Sequence, residues 1–93
     1  MTRIEIISNK SVEEDITETL ENYVPGILYT IIPLAYGRGE NDRKLGTSTW
    51  PEKNFVMISY VEDDQVEKIK LVVEGIKEKF PEEGIKLFCI RSE

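Results

Sequence analysis

The order of strand and helix candidates along this chain limits it to very few folds. Residues 3–8, 27–36, 55–61 and 85–91 are rich in β-branched and aromatic residues, and a segment of helical periodicity follows the first and the third of them. Because right-handed crossovers restrict how such elements can be joined, the order βαββαβ predicts an α+β fold, the ferredoxin-like split βαβ sandwich. We expect a four-stranded antiparallel sheet with both helices on one face, in a single domain over residues 1–93.

Both helix candidates carry similar start signals. Ser11 and Asp64 each stand three residues before a glutamate, which is the spacing of a capping box. Apolar residues then recur at helical spacing, at Val12, Ile16, Leu20 and Tyr23 in the first helix and at Val66, Ile69, Val73, Ile76 and Phe80 in the second. Pro33 interrupts the second strand candidate, and since proline donates no ladder hydrogen bond, we expect this strand at a sheet edge or with a bulge.

Alternation along the strands gives the predicted sheet two apolar faces. Phe55, Met57, Ser59, Ile85, Leu87 and Cys89 alternate with Val56, Ile58, Tyr60, Lys86, Phe88 and Ile90. With helices on one face, the other should be polar if water covered it. At about 25 cal/mol per Å2, a second apolar face of several hundred Å2 favours burial by roughly 10 kcal/mol before association costs. We therefore expect self-association; coverage by residues 37–54 or by the C-terminus is the alternative.

Composition argues against several classes of partner. The formal net charge is −6 and the pI is about 4.7, so attraction to nucleic acid or to anionic lipid is not expected. No run approaches the ~20 apolar residues that a membrane span requires, so membrane insertion is not expected either. Cys89 is the only cysteine, which leaves no internal disulfide and favours a reducing, cytoplasmic compartment.

Catalysis finds little support in the residue types present. The chain has no histidine, so neither a Ser-His nor a Cys-His pair can form, and we expect no enzymatic activity. Cys89 alternates with core residues and is interpreted as an inert buried thiol. Cys and His clusters for a soft metal are missing, and the acids at 62–64, which could hold Mg2+ or Ca2+, are also explained as a helix start. We predict no metal site.

The segment 37–54, GRGENDRKLGTSTWPEKN, has no hydrophobic period and separates two apolar strands. Its four basic and three acidic side chains give it a net charge of +1 in a chain of net charge −6. Loops this long inside a small domain are usually functional or disordered. We interpret the segment as a mobile arm that closes on a ligand or on a neighbouring subunit.

Five residues are candidates for ligand binding. Gly37, Arg38 and Gly39 could present backbone N–H groups and a guanidinium to an anion, although a simple hinge is the alternative interpretation. Trp50 offers an aromatic surface, either for a base or for docking against another subunit. Lys86 could reach a ligand in a cleft between subunits, the alternative being an ordinary surface lysine.

Taken together, the order of elements and several short strings resemble the PII signalling superfamily. Val24-Pro25-Gly26 before the second strand and Gly37-Arg38 at the start of the arm are similar to the Gly-initiated strand and the start of the T-loop in that family. Residues 80–88 are similar in placement to its phosphate-contacting loop and strand, but Glu82 and Glu83 stand where the family has Gly, Thr and Lys. The T-loop tyrosine has no counterpart among residues 38–54.

This resemblance implies a non-enzymatic sensor that forms a homotrimer with its sheets packed inward. A small anionic metabolite, such as ADP, AMP, ATP or bicarbonate, would bind between subunits through Gly37, Arg38, Gly39, Trp50 and Lys86. The arm would then act on a partner such as a transporter or an enzyme. The alternative hypothesis is a ligand-free trimeric interaction module, in which the arm is a structural clasp around Trp50.

Overall fold

The structure, a computed structural model, describes residues 1–37 and 53–92. The elements follow in the order β1 (Thr2–Asn9), α1 (Glu13–Tyr23), β2 (Tyr29–Tyr36), β3 (Lys53–Val61), α2 (Val66–Lys79) and β4 (Lys86–Arg91). The strands form one antiparallel sheet in the order β2-β3-β1-β4, with β2 and β4 at its two edges. Both helices pack on one face, so the predicted α+β ferredoxin-like fold is confirmed.

The core lies between the helices and alternate residues of the two central strands. Strict alternation of buried and half-buried residues along β1 places Ile4 and Ile6 inward, and β3 contributes Met57 opposite Ile6 and Phe55 opposite the buried Ser8. The helices cover these side chains with Ile16, Leu20, Ile69, Val73 and Ile76, all at positions that the helical spacing predicts. Sequence periodicity of two in the strands and 3.6 in the helices therefore locates most of the core.

Both helices begin differently from the prediction. A 3-10 turn precedes each of them, Lys10–Val12 before α1 and Asp63–Gln65 before α2, so Ser11 and Asp64 lie inside these turns. Asn9 takes the capping role at the first turn, where its Oδ1 accepts a hydrogen bond from the backbone N–H of Ser11 at 2.9 Å. The predicted capping boxes are wrong because the tighter turns move each helix start beyond its expected capping residue.

The end of α1 also differs in one residue. Helical spacing predicts Tyr23 on the apolar face, but its side chain is exposed and Val24 is buried instead. The helix ends at Tyr23, and Val24 leaves helical geometry with φ −126°, which turns its side chain into the core. Gly26 then adopts a φ of 81°, a left-handed conformation that glycine takes without steric cost, and the chain turns into β2.

Pro33 has the position that the sequence predicts for it. Strand β2 is an edge strand, and its register with β3 shifts between Ile32 and Ala35, which pair with Val56 and Asn54. The extra residue in β2 is a β-bulge, which reverses the faces to which the following residues point. Lys10 lies outside both strands and stabilises the bulge, since its Nζ donates a hydrogen bond to the carbonyl oxygen of Pro33 at 2.6 Å.

Candidate functional site

The sheet face away from the helices, called here the open face, is not covered by either helix of the described residues. Its side chains come from alternate strand positions and include Arg3, Glu5, Ile7, Thr30, Ile32, Val56, Ile58, Tyr60, Phe88 and Ile90. Ile32, Phe88 and Ile90 are 44%, 45% and 50% exposed, respectively. The open face therefore carries the apolar side chains that strand alternation predicts, and they are accessible to another molecule.

A charged pair occupies the centre of the open face. Arg3 lies between Tyr60 and Ile90 on the neighbouring strands, and Glu5 lies between Ile58 and Phe88. Arg3 Nη2 lies 3.1 Å from Glu5 Oε2, while Arg3 Nη1 donates to the Tyr60 hydroxyl at 3.1 Å and the guanidinium lies 5.9 Å from the centre of the Tyr60 ring. These contacts neutralise the pair locally, so the face can be covered without leaving an isolated charge.

The same contacts also affect the pKa of Arg3. The hydrogen bond to Tyr60, and then that to Glu5, raises the pKa of Arg3 above its ordinary value. Arg3 therefore stays a cation throughout the neutral range. Sequence alternation places Arg3 and Glu5 outward, but it does not indicate that Tyr60 lies beside them, since that depends on the register of β1 with β3.

Gly37 and Lys86 lie at the same end of the sheet but on opposite edges. Gly37 follows β2, and a Cβ at this position would lie only 3.1 Å from Asn54 Nδ2, so glycine allows the close approach to β3. Lys86 is the first residue of β4, is exposed, and pairs with Ile7 of β1. Two strands separate the two edges, a span of roughly 14 Å at ordinary strand spacing. One subunit alone therefore does not bring Gly37 and Lys86 together.

The other predicted ligand-binding residues, Arg38, Gly39 and Trp50, lie outside the residues that the structure describes. Their role stays a prediction. The turn that precedes Lys86 is described, and it uses its own backbone groups: the N–H of Glu83 donates to the Phe80 carbonyl at 3.1 Å, and the N–H of Ile85 donates to the Glu83 carbonyl at 3.0 Å. Two backbone N–H groups of the turn are therefore already hydrogen-bonded within it. The carboxylates of Glu82 and Glu83 in the same turn also repel anions.

A notch of about 400 Å3 lies at the opposite end of the β2 edge and is called here the edge notch. Leu28 and Tyr60, both largely exposed, form apolar walls, and Glu62 and Gln65 add polar groups. The notch is wide open to solvent and combines these apolar walls with a few polar groups at its rim. Sequence reasoning missed the notch because it depends on how the α1–β2 turn lies against the end of β3.

The described residues add three findings that bear on function. Within residues 1–37 and 53–92, no three His, Cys, Asp or Glu side chains come close enough to hold a metal ion. Neither helix of this part of the chain has the length and apolar character that crossing a bilayer requires. Cys89 is half-buried against the core, at the inward position that alternation along β4 predicts.

Comparisons with known proteins give matches among solved structures. No protein-family model matches this chain, and no curated protein matches it. The structure of CPII from Thiomonas intermedia K12 bound to ADP, AMP and acetate superposes with a TM-score of 0.69 at 21% identity, over 96% of this chain and 82% of its own. A PII-like signalling protein from Thermus thermophilus gives a TM-score of 0.66 at 20% identity, over 95% of this chain and 82% of its own.

These matches establish the fold. The resemblance to PII-like proteins that the sequence predicts is confirmed at that level, over nearly the whole chain. The de novo designed protein Foldit4 also superposes, with a TM-score of 0.61 at 11% identity over 99% of this chain and 98% of its own. Because a designed protein shares the architecture, the fold alone does not determine the function.

Proposed function

We propose that this protein is a non-enzymatic PII-like sensor. Three copies associate through their open faces, a small anionic metabolite binds between neighbouring subunits, and residues 37–54 carry the signal to a partner such as a transporter or an enzyme. The ligand is an adenine nucleotide or bicarbonate. The observation that carries the proposal is the accessible apolar open face, together with the division of Gly37 and Lys86 between the two edges of the sheet.

Association would complete the site. If the β2 edge of one copy lies beside the β4 edge of the next, Gly37 of the first approaches Lys86 of the second, which a single subunit cannot achieve across its own sheet. The ligand would then contact backbone amides of Gly37 and Gly39, the guanidinium of Arg38 and the ammonium of Lys86, with Trp50 covering it. Burial of the charged pair in the open face is tolerable because Arg3 and Glu5 neutralise each other.

The ligand class rests on the solved relatives and on the charge of the turn before β4. CPII, at 22% identity, is also solved with ADP and bicarbonate. Glu82 and Glu83, in the turn before Lys86, disfavour a triphosphate. We therefore rank ADP, AMP and bicarbonate above ATP.

The test is a thermal-shift screen combined with sedimentation velocity. A ligand present at 100 times its Kd stabilises the folded state by about 2.7 kcal/mol, which for a domain of this size raises Tm on the order of 10 °C. We expect such a shift with ADP, AMP or bicarbonate, and we expect it to be lost in Lys86→Glu but kept in Lys70→Glu, a charge reversal on the surface of α2. A subunit that sediments alone at micromolar concentration would refute the proposal.

The second candidate function is a ligand-free trimeric interaction module in which residues 37–54 form a clasp around Trp50. Glu82 and Glu83 favour it, because acids in the turn before β4 weaken any phosphate site there. Amide exchange over residues 38–53 separates the two functions. Slow exchange in the bare protein supports the clasp, whereas exchange that slows only with an added nucleotide or bicarbonate supports the sensor.

A further inference from the structure

A second surface lies on the other side of the molecule, between the two helices. This helix groove has a volume of about 630 Å3 and is bounded by α1 and α2. Its walls are largely apolar: Leu71 is 74% exposed, Tyr23 is 58% exposed, and Val72 and Phe80 are half-buried beside them. Large apolar side chains that are gathered in one groove and left accessible are typical of a binding surface.

The floor of the helix groove contains a glycine that the fold itself does not require. Gly75 lies inside α2, where glycine is disfavoured relative to alanine because it loses more backbone freedom. A Cβ placed there would meet no atom within 4 Å, so neither α1 nor the sheet excludes a side chain. Its effect is to keep the groove open, which allows the backbone of a bound segment to approach α2 closely.

The charges along the helix groove differ in sign from those of the chain as a whole. The chain has 18 acids and 12 bases, yet the groove is lined by a single acid, Asp15, and by two bases, Lys68 and Lys79. Both lysines are exposed, and among the described residues neither takes part in an ion pair. They stand eleven residues apart, which is roughly 16 Å along the axis of α2.

We propose that the helix groove binds an amphipathic helix of a partner protein, with an apolar stripe and a carboxylate at each end. Leu, Ile or Phe side chains of that helix would pack on Tyr23, Leu71 and Phe80 across Gly75. Its two carboxylates, about three turns apart, would pair with Lys68 and Lys79. The helix groove lies on the helical side of the fold, away from the open face, so this interaction does not depend on the proposed trimer or on its ligand.

The probe is a synthetic helical peptide of about 16 residues with leucines at helical spacing and two glutamates eleven residues apart. The whole chain is titrated with the fluorescently labelled peptide, and anisotropy gives the Kd. We expect micromolar binding, weakened about tenfold or more by the double variant Lys68→Glu and Lys79→Glu and by Leu71→Ser, whose side chain is too exposed to be needed for folding. The matched control, Lys70→Glu with Lys77→Glu on the same helix, has the same net charge, and we expect it to change the Kd by less than about twofold.

Two further measurements sharpen the test. Lys68 also borders the edge notch, so Lys79→Glu alone, which does not, should weaken peptide binding as well. In the amide NMR spectrum, the peptide should shift resonances of Thr19, Tyr23 and Gly75. The proposal is overturned if no binding is found up to millimolar peptide, if the shifts lie on the sheet, or if the control pair weakens binding as much as the groove pair. It is also overturned if Leu71→Ser changes the sedimenting mass, since a second copy would then be the occupant.

Discussion

The two faces of the sheet are built from neighbouring residues of the same strands, yet they differ sharply in environment. On the helix-covered face Ile6, Phe55 and Met57 are fully buried. On the open face Ile32, Phe88 and Ile90 are of comparable size and remain about half exposed. Within one subunit, the fold explains the apolar character of the first face only.

This difference separates what folding requires from what association requires. Residues of the helix-covered face contribute to the stability of a single subunit, whereas in the proposed trimer residues of the open face would gain their burial from another copy. Variants on the two faces should therefore respond differently to protein concentration. Variants of Phe55, Val56 and Phe88 test this contrast directly, and variants of Ser59 and Glu21 have smaller expected effects.

Phe55→Ala should have the largest effect on folding. Phe55 is fully buried between the sheet and the helices, and removing its ring leaves a cavity, so the free energy of unfolding should fall by about 3–5 kcal/mol at any protein concentration. Urea denaturation followed by circular dichroism measures the loss. Val56→Ala, one residue further on the open face, is the matched control, and we expect a loss of about 1 kcal/mol that grows with protein concentration. If Phe55→Ala and Val56→Ala lost equal unfolding free energy at every protein concentration, the contrast between the faces would be contradicted.

Phe88→Glu should break the association and leave the fold intact. Phe88 is 45% exposed in one subunit and lies beside Glu5 of the neighbouring strand on the open face, so a second carboxylate there meets a like charge and cannot be buried unpaired. We expect a loss of at least about 2 kcal/mol of association free energy per subunit and a single subunit in sedimentation velocity.

Leu71→Glu is the control for the association test, since it adds the same charge at an exposed apolar residue on the helical side. The circular dichroism spectrum should be unchanged in both variants. If Leu71→Glu separates the subunits and Phe88→Glu does not, the copies associate through their helices, and the proposed trimer is wrong.

Ser59→Ala should have a smaller effect, confined to the junction of β2 with β3. The buried Ser59 Oγ donates a hydrogen bond to the Leu28 carbonyl at 2.7 Å, and its loss should cost about 1 kcal/mol. Ser8 is equally buried, but its hydroxyl lies 3.5 Å from the Asn9 carbonyl, so Ser8→Ala should cost less than Ser59→Ala. Urea denaturation of both variants shows whether the loss of unfolding free energy comes from the hydrogen bond or from the burial of a hydroxyl group.

The fold was predictable because its signals are local and repeated. Ile4 and Ile6 in β1, and Ile69, Val73 and Ile76 in α2, follow the strand and helix periods closely, and Pro33 marks an edge strand with a bulge. The capping boxes failed because a 3-10 turn and an α-helix share their start signals. The sequence does not distinguish between them.

The candidate site was less predictable because its parts are distant in sequence. The sequence indicates Gly37 and Lys86 separately, whereas their placement on opposite edges follows from the strand order. The contact of Arg3 with Tyr60 depends on the register of two strands that are about 50 residues apart in the chain. The exposure of Gly75 in the helix groove depends on how the two helices pack. Such features require the whole fold, and local patterns do not reveal them.

The smallest predicted effect concerns the hydrogen bond that joins β2 to α1. The hydroxyl of Tyr29 donates to Glu21 Oε1, and this bond, with burial as a lesser cause, raises the pKa of Tyr29 above its ordinary value. A raised pKa means that the folded state favours the protonated phenol. The stabilisation is therefore fully present below the pKa of the unfolded chain, near pH 10, and is lost as the pH rises through the higher pKa of the folded state.

Glu21→Gln should therefore lower the pKa of Tyr29 towards its ordinary value and move the alkaline loss of stability to lower pH. NMR titration of the tyrosine ring carbons follows each phenol separately, with Tyr29→Phe to assign the resonance. Glu18→Gln removes the same charge from α1 without removing the bond, so it should leave the titration of Tyr29 nearly unchanged. If both variants shift the titration equally, the general negative charge of α1, and not the bond to Glu21, sets the pKa of Tyr29.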